Sequence, residues 1–164
     1  MRTSTDLLSE IASVLPPVPK PAGSALSFHP ADCMQCEFVR RDLEQYQDQL
    51  LPDEALRSLR GELTLLSAEG WRWVLPSYLI RCVTQDPECD PMETEFLIYS
   101  LGPDSEYKDD AVSRLTHFTL SQLMLLQHFL EWCAEHPHWS EYCPDNIAKA
   151  QTFVSQLIEV RSAA

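Results

Sequence analysis

Residues 67–83 read SAEGWRWVLPSYLIRCV and form the most hydrophobic segment of the chain. Apolar side chains surround this segment on a helical wheel rather than forming one stripe, which is typical of a central, buried helix. Ser67 is a suitable N-cap, because its hydroxyl can accept a hydrogen bond from a free backbone N–H of the first turn. Pro76 lacks a backbone donor and is expected to kink or divide the helix.

Further helices are predicted on both sides of this segment, because apolar residues recur there at spacings of three and four. Strand-like alternation of apolar and polar residues is essentially absent. The sequence therefore predicts an all-α fold: a compact single-domain bundle of about six or seven helices over residues 1–164. A proline-rich connector, residues 16–31, follows the first short helix. The predicted helices span residues 3–15, 32–46, 52–66, 68–83, 91–101, 119–136 and 145–161.

Side chains at the starts of several helices support these boundaries. Asp32 and Gln35 have the spacing of an N-cap and its N3 partner, and Thr119 and Gln122 form a capping-box pattern. The dipeptide at residues 90–91, Asp-Pro, is a helix start signal with proline in the first turn. Each signal fixes where an amphipathic pattern begins.

The composition excludes several classes of protein. The chain has 164 residues, 12 basic and 25 acidic side chains, a formal charge of −13, and 45% hydrophobic residues. That hydrophobic content argues against disorder. The negative charge argues against binding to nucleic acid or to anionic membranes, since both would repel the chain. No secretory signal or membrane-spanning segment is evident, so we expect a cytoplasmic protein whose six cysteines stay reduced.

The negative charge is concentrated in residues 84–110, the acidic segment, which holds nine carboxylates against Lys108 alone. Such a segment is often only a solvated surface. The alternative is a docking surface for a protein with a basic surface, because Tyr107 lies within the charges and aromatic residues are enriched in interfaces. The predicted partner-binding residues are Asp86, Glu88, Asp90, Glu93, Glu95, Asp104, Glu106, Tyr107, Asp109 and Asp110.

His29, Cys33 and Cys36 form the most motif-like group of potential metal ligands. A C-x-x-C pair at a helix N-terminus has the arrangement of redox centres, because the helix dipole lowers the thiol pKa. Both cysteines also lie on an apolar stripe, where cysteine serves as a small core residue. Zinc usually takes four ligands, of which this group supplies three. Other candidate ligands are Cys133, His136, His138 and Cys143, together with Cys82 and Cys89.

Motifs of common catalytic sites are missing, including the nucleophile elbow, the phosphate-binding loop and the zinc-protease pair. His128 with Glu131 could act as an acid–base pair on one helix. The exposed face of an amphipathic helix explains the same residues without catalysis. We therefore expect no enzyme activity and no cofactor.

Three segments carry a resemblance to a known family. Residues 29–36 read HPADCMQC, residues 65–79 read LLSAEGWRWVLPSYL, and residues 118–122 read FTLSQ. Over roughly residues 28–130 the chain resembles a family of small bacterial helical proteins with an H-x3-C-x2-C segment and a leucine-proline-x-tyrosine segment. It departs from the family pattern in the pair Trp71 and Trp73 and in an added C-terminal helix. The resemblance implies a helical fold and a bacterial origin, and it implies no activity.

By type rather than by motif, the chain also resembles bacterial immunity proteins, which are small, acidic and cytoplasmic. This likeness implies an inhibitor that binds a cognate toxin, such as a nuclease with a basic cleft, and neutralises it by occlusion. The acidic segment would supply the binding surface, with Tyr107 as an anchor. The alternative is a metal-stabilised or redox-sensing regulatory domain that uses His29, Cys33 and Cys36.

Overall fold

The computed structural model describes residues 2–89 and 92–164, and within them the predicted all-α fold is confirmed. Three 3-10 helices, at Gly23–Leu26, Arg60–Leu65 and Ser105–Tyr107, lie between the α-helices. No described helix has both the length and the apolar character needed to span a membrane. The α-helices are α1 (Ser4–Val14), α2 (Met34–Asp42), α3 (Asp53–Leu59), α4 (Ala68–Thr84), α5 (Met92–Leu101), α6 (Lys108–Arg114), α7 (Leu120–Glu135), α8 (Pro137–Tyr142) and α9 (Pro144–Ala163).

Helix α4 is the buried helix that the sequence predicts. The Ser67 hydroxyl caps it by accepting a hydrogen bond from the Gly70 backbone N–H at 3.0 Å, which confirms the predicted N-cap. The helix is not divided at Pro76 and continues from Ala68 to Thr84. Pro76 is itself buried, and so are nearly all of its neighbours in the helix. Tertiary packing therefore holds the helix together despite the lost backbone donor.

Two tryptophans of α4 connect it to the segments that precede it. The Trp71 indole N–H donates to the Leu63 carbonyl at 2.7 Å, and the Trp73 indole N–H donates to the Asp48 carbonyl at 3.1 Å. Both rings are buried, so these bonds satisfy the one polar atom of each indole. The residues between α2 and α4 are thereby held against the central helix.

The remaining helices surround this core. Helix α1 packs on α4 and α7, while α9 packs on α7 and α5. One continuous hydrophobic cluster includes residues from Leu7 in α1 to Val154 in α9. The short helices α6 and α8 are additional to those predicted, and the single helix predicted for residues 52–66 is divided into α3 and a 3-10 helix.

The structure corrects one predicted helix start and confirms another. The N-cap of α2 is Cys33, whereas Asp32 lies in the left-handed region at a φ of 57°, so the prediction of Asp32 as the N-cap is wrong. An N-cap needs an extended backbone, which Asp32 does not have. Thr119 and Gln122 form the predicted capping box of α7. The predicted start at residues 90–91 lies outside the described residues.

Candidate metal centre

The second half of the predicted connector packs against the start of α4 and the residues just before it. The Phe28 backbone N–H donates to the Leu65 carbonyl at 2.7 Å, and Ser67 N–H donates to the Leu26 carbonyl at 3.0 Å. The Arg40 guanidinium, from α2, donates to the His29 carbonyl at 3.3 Å. These bonds place His29 beside the N-terminus of α2.

Helix α2 brings two thiols to the same place. Cys33 is the N-cap, and its sulfur accepts a hydrogen bond from the Cys36 backbone N–H at 3.5 Å. The Cys36 side chain lies one turn later and is fully buried. A C-x-x-C pair at the start of a helix thus places both sulfurs on the same side of the helix, because three residues span nearly one helical turn.

The His29, Cys33 and Cys36 side chains form one cluster, the His-Cys-Cys group. The His29 Nδ1 atom lies 3.7 Å from the Cys36 Sγ atom. One ligand atom from each of the three residues lies within 4.8 Å of the others. His29 is exposed, Cys33 is partly exposed and Cys36 is buried, so the group opens to the surface on one side.

The two thiols of this group differ in acidity. The hydrogen bond from the Cys36 backbone, with smaller contributions from the Cys36 and His29 side chains, lowers the pKa of Cys33 to about 7. Burial raises the pKa of Cys36 above its ordinary value. Cys33 is therefore substantially a thiolate near neutral pH, which is the form that binds metals and reacts with electrophiles.

The donor set of one imidazole and two thiols suits a soft or borderline metal ion. Zinc and copper(I) prefer such ligands, whereas magnesium and calcium prefer oxygen. The same C-x-x-C pair could instead form a disulfide, and both cysteines are free thiols in this structure. Within residues 2–89 and 92–164, this is the one group of three or more histidine, cysteine, aspartate or glutamate residues whose potential ligand atoms lie close together.

The second predicted group does not converge on one point. The His136 ring packs on Trp132, with ring centroids 5.0 Å apart, and the His138 ring stacks on Tyr142 at 5.6 Å. Cys133 and Cys143 are buried in the core. Burial raises the pKa of both thiols, that of Cys143 to about 11, so they remain neutral packing groups.

Cys82 and Cys89 also lie apart from the His-Cys-Cys group. Cys82 is buried, and desolvation raises its pKa to about 12. Cys89 is exposed, and its sulfur donates to an Asp86 carboxylate oxygen at 3.6 Å. The negative charge of Asp86 raises the pKa of Cys89.

Glu93 is not available for partner binding, and its assignment to a docking surface is corrected here. Its side chain is 1% exposed, and its carboxylate accepts a hydrogen bond from Arg81 Nε at 2.8 Å. Arg81 also pairs with Asp53 at 3.0 Å. Glu93 lies on the inward face of α5, where it compensates a buried guanidinium instead of facing solvent.

Other carboxylates of the acidic segment are partly engaged within the molecule. Glu95 accepts hydrogen bonds from the hydroxyls of Tyr99 and Tyr142. Asp104 pairs with Lys149. Asp86 accepts from the Glu88 backbone N–H at 2.9 Å in a surface turn. Asp90 lies outside the described residues.

Four of the predicted partner-binding residues lie together on one short segment, whereas Glu88 is exposed in the turn before α5. Glu106 and Tyr107 belong to the 3-10 helix Ser105–Tyr107, and Asp109 and Asp110 lie in the first turn of α6. Tyr107 is 55% exposed. Glu106, Tyr107 and Asp109 are exposed and Asp110 is partly exposed, so carboxylates and an aromatic ring share one stretch of surface here.

His128 is paired with a residue that the sequence pattern does not indicate. Its Nδ1 atom lies 2.7 Å from the Glu10 carboxylate, which comes from α1. Glu10 also pairs with Arg2. This contact connects α1 to α7, so His128 contributes to helix packing. Its predicted partner Glu131 is exposed on the outer face of α7.

Comparison with known proteins identifies one relationship. The sequence profile of a family of unknown function, DUF6714, matches residues 30–150. The match includes both cysteines of the His-Cys-Cys group and extends past residue 130, where the predicted resemblance ends. No curated protein and no solved structure matches the chain.

Proposed function

The chain belongs to the DUF6714 family, and we propose that it is a regulatory domain that binds a thiophilic metal ion, zinc above all, through His29, Cys33 and Cys36. One observation carries the proposal: three ligand atoms of suitable type lie within 4.8 Å of one another. The proposal requires no catalytic step by this chain.

The distances fit a tetrahedral ion after a small adjustment. Bonds of about 2.3 Å to sulfur and about 2.0 Å to nitrogen place neighbouring ligand atoms of a tetrahedral zinc site about 3.6 Å apart. His29 Nδ1 and Cys36 Sγ are 3.7 Å apart, so this pair already has that spacing. Cys33 is partly exposed and can close the remaining difference by a side-chain rotation.

The location of the group favours regulation over a purely structural role. The hydrophobic core includes residues from nearly every α-helix, so folding does not depend on a metal. Three protein ligands leave the fourth position of a zinc ion open, and His29 is exposed. Water, a small thiol or a partner side chain can therefore occupy that position, and binding would clamp the Phe28–His29 segment to the start of α2.

The proposal is tested by metal analysis of protein purified without chelators. We expect about one zinc per chain and loss of that zinc in Cys33→Ser, Cys36→Ser and His29→Gln. Cys89→Ser is a matched control, because Cys89 is an exposed thiol outside the group. Retention of zinc by a Cys33→Ser, Cys36→Ser double variant would contradict the proposal. Metal-free protein that loses two titratable thiols on mild oxidation, and never binds zinc, would favour a disulfide switch.

A second candidate function is supported by the exposed end of the acidic segment. Glu106, Tyr107, Asp109 and Asp110 form a negative surface with an aromatic anchor, which suits a partner with a basic surface. This surface supports the proposal of an immunity-type inhibitor that occludes the basic cleft of a cognate bacterial toxin. The proposal uses this smaller set of residues, because Glu93 is buried and Asp104 is paired with Lys149.

The test of this second candidate needs the product of the neighbouring coding sequence, since immunity proteins are encoded beside their toxins. Association should slow steeply as salt is added, because the attraction between the charges is screened. A Glu106→Gln, Asp109→Asn, Asp110→Asn variant should keep its fold and associate more slowly. Unchanged association and protection by that variant would show that the acidic surface is not the binding site.

A further inference from the structure

A cavity of about 330 Å³ lies between the C-terminal end of α5, the 3-10 helix Ser105–Tyr107, α6 and the first turns of α9. Its polar lining includes Tyr99, Asp104, Arg114, Asn146 and Lys149. The volume is sufficient for a small organic molecule. This Arg114 cavity is separate from the His-Cys-Cys group, so it needs an explanation of its own.

Arg114 is the unusual residue in the lining. It is 8% exposed, and its Nε atom has no hydrogen-bond partner in the part of the chain that the structure describes. A buried donor without an acceptor costs free energy, and buried polar groups in native proteins are nearly always satisfied. The Nε atom itself has no contact with solvent, so an acceptor from outside the chain could reach Arg114 only at the terminal Nη1 and Nη2 groups of its guanidinium.

The Phe28 ring covers one face of the Arg114 guanidinium. The Arg114 Cζ atom lies 4.4 Å from the centroid of the Phe28 ring, a cation–π contact. Stacking on an aromatic ring uses the face of the guanidinium, whereas its N–H groups point outward in the plane. Such an edge matches the two oxygens of a carboxylate or phosphate, which it can bind in a bidentate manner.

The surrounding charges limit which ligand would bind. Lys149 supplies a second cation and Asn146 an amide donor, but Lys149 is paired with Asp104. Asp110 is close enough to Arg114 to interact with it electrostatically. Because these carboxylates and the overall charge of −13 repel polyanions, the site suits one compact anionic group.

We propose that the Arg114 cavity binds the carboxylate or phosphate group of a small molecule, with Arg114 as the principal ligand. Lys149 and Asn146 would assist, and Tyr99 would line the wall of the cavity beside the organic part of the ligand. The site involves none of the three proposed metal ligands, so substitutions at Arg114, Lys149 and Asn146 leave those ligands in place.

The test follows the Arg114 Nε–H signal by two-dimensional nuclear magnetic resonance of the full chain. Sodium acetate and inorganic phosphate are titrated separately to about 10 mM at constant ionic strength, in a range suited to millimolar dissociation constants. We expect a saturable shift of this signal with at least one of the two anions. The anion that causes it distinguishes a carboxylate from a phosphate site.

Variants separate specific recognition from a general charge effect. Arg114→Lys keeps a cation over Phe28 but removes the planar pair of donors, so binding, followed through backbone amide signals around the cavity, should weaken at least about tenfold. Arg161→Lys is the matched control and should bind as the parent does. Asp104→Asn removes a repulsive carboxylate and should tighten binding.

Two results would overturn the proposal: no saturable shift with either anion, or equal binding by the parent and by Arg114→Lys. If Arg114→Lys does not fold, the variants Lys149→Gln and Asn146→Ala are tested in its place. Both residues line the cavity, and both lie on α9. Binding unaffected by both of these variants would also overturn it.

Discussion

In residues 29–36 three potential metal ligands point to one place, whereas in residues 84–110 the described carboxylates point in several directions. The first segment is short, and a helix N-cap and backbone bonds to residues 65–67 fix its geometry. The second spans α5, a 3-10 helix and the start of α6, so its carboxylates have different surroundings. Glu93 is in the core, Asp104 is paired with Lys149, and Glu106 is exposed.

Charge density along a sequence is therefore a weaker guide to a site than ligand spacing within one turn. A helix turns by about 100° per residue, so Glu93 and Glu95, two residues apart on α5, lie on different faces. Ligands three residues apart at a helix start lie side by side. Four measurements test this difference.

The largest expected effect is the loss of stability on removing the buried carboxylate of the acidic segment. Glu93→Ala should lower the free energy of unfolding by about 3–5 kcal/mol, because the Arg81 charge would lose its buried partner. Glu106→Ala, in the same segment but exposed, should change it by less than about 0.5 kcal/mol. Urea denaturation measures both values. Equal effects of the two substitutions would contradict the conclusion that this segment contains both a buried and an exposed class of carboxylate.

The second effect concerns the His-Cys-Cys group. Free zinc at about 100 times its dissociation constant should raise the free energy of unfolding by about 2.7 kcal/mol, because only the folded chain brings the three ligands together. Cys36→Ser should abolish this gain, whereas Cys89→Ser should retain it. Thermal or urea unfolding with and without zinc measures the difference. A gain that persists in Cys36→Ser would place the metal elsewhere.

A third, smaller contrast lies in thiol reactivity. In metal-free protein the rate of alkylation of Cys33 should rise with pH and reach half of its maximum near pH 7, because its pKa is lowered to about 7 and only the thiolate reacts. Cys36, whose pKa burial raises, and Cys89, whose pKa Asp86 raises, should react only at higher pH. Peptide mass spectrometry after timed alkylation gives the three rates. Alkylation of Cys89 at a lower pH than Cys33 would contradict the assignment.

The smallest expected effect is that of the surface pair formed by Asp104 and Lys149. A double-mutant cycle with Asp104→Asn and Lys149→Gln should give a coupling energy below about 1 kcal/mol, because both side chains are solvated and the pair is screened by salt. The coupling should decrease further in high salt. A value comparable to the effect of Glu93→Ala would mean that the surface of the acidic segment contributes to folding.

Much of the fold is predictable from the sequence because it depends on local signals. The all-round hydrophobicity of α4 predicts its burial, and its Ser67 cap and the capping box of α7 are correctly placed. The start of α2 is misplaced by one residue, because Asp32 takes a left-handed backbone that the sequence pattern does not reveal. The short helices α6 and α8 also escape prediction, since helices of six or seven residues have little periodic pattern.

The candidate sites are likewise predictable from the sequence only in part. The H-x3-C-x2-C spacing is enough to single out the His-Cys-Cys group, although only the structure shows that His29 reaches Cys36. Arg114 carries no sequence signal, since its importance comes from Phe28 on one side and an unpartnered Nε atom on the other. Glu10, the partner of His128, is likewise 118 residues away along the chain.

The helical class, the central helix and the candidate metal ligands follow from the sequence alone, because periodicity, capping and ligand type are properties of neighbouring residues. Tertiary structure alone decided which carboxylates of residues 84–110 face water and which cations they meet. Arg81 and Glu93 come from different helices, and Lys149 reaches Asp104 from α9. Burial and ion pairing depend on how helices pack, and no local pattern encodes the packing of distant segments.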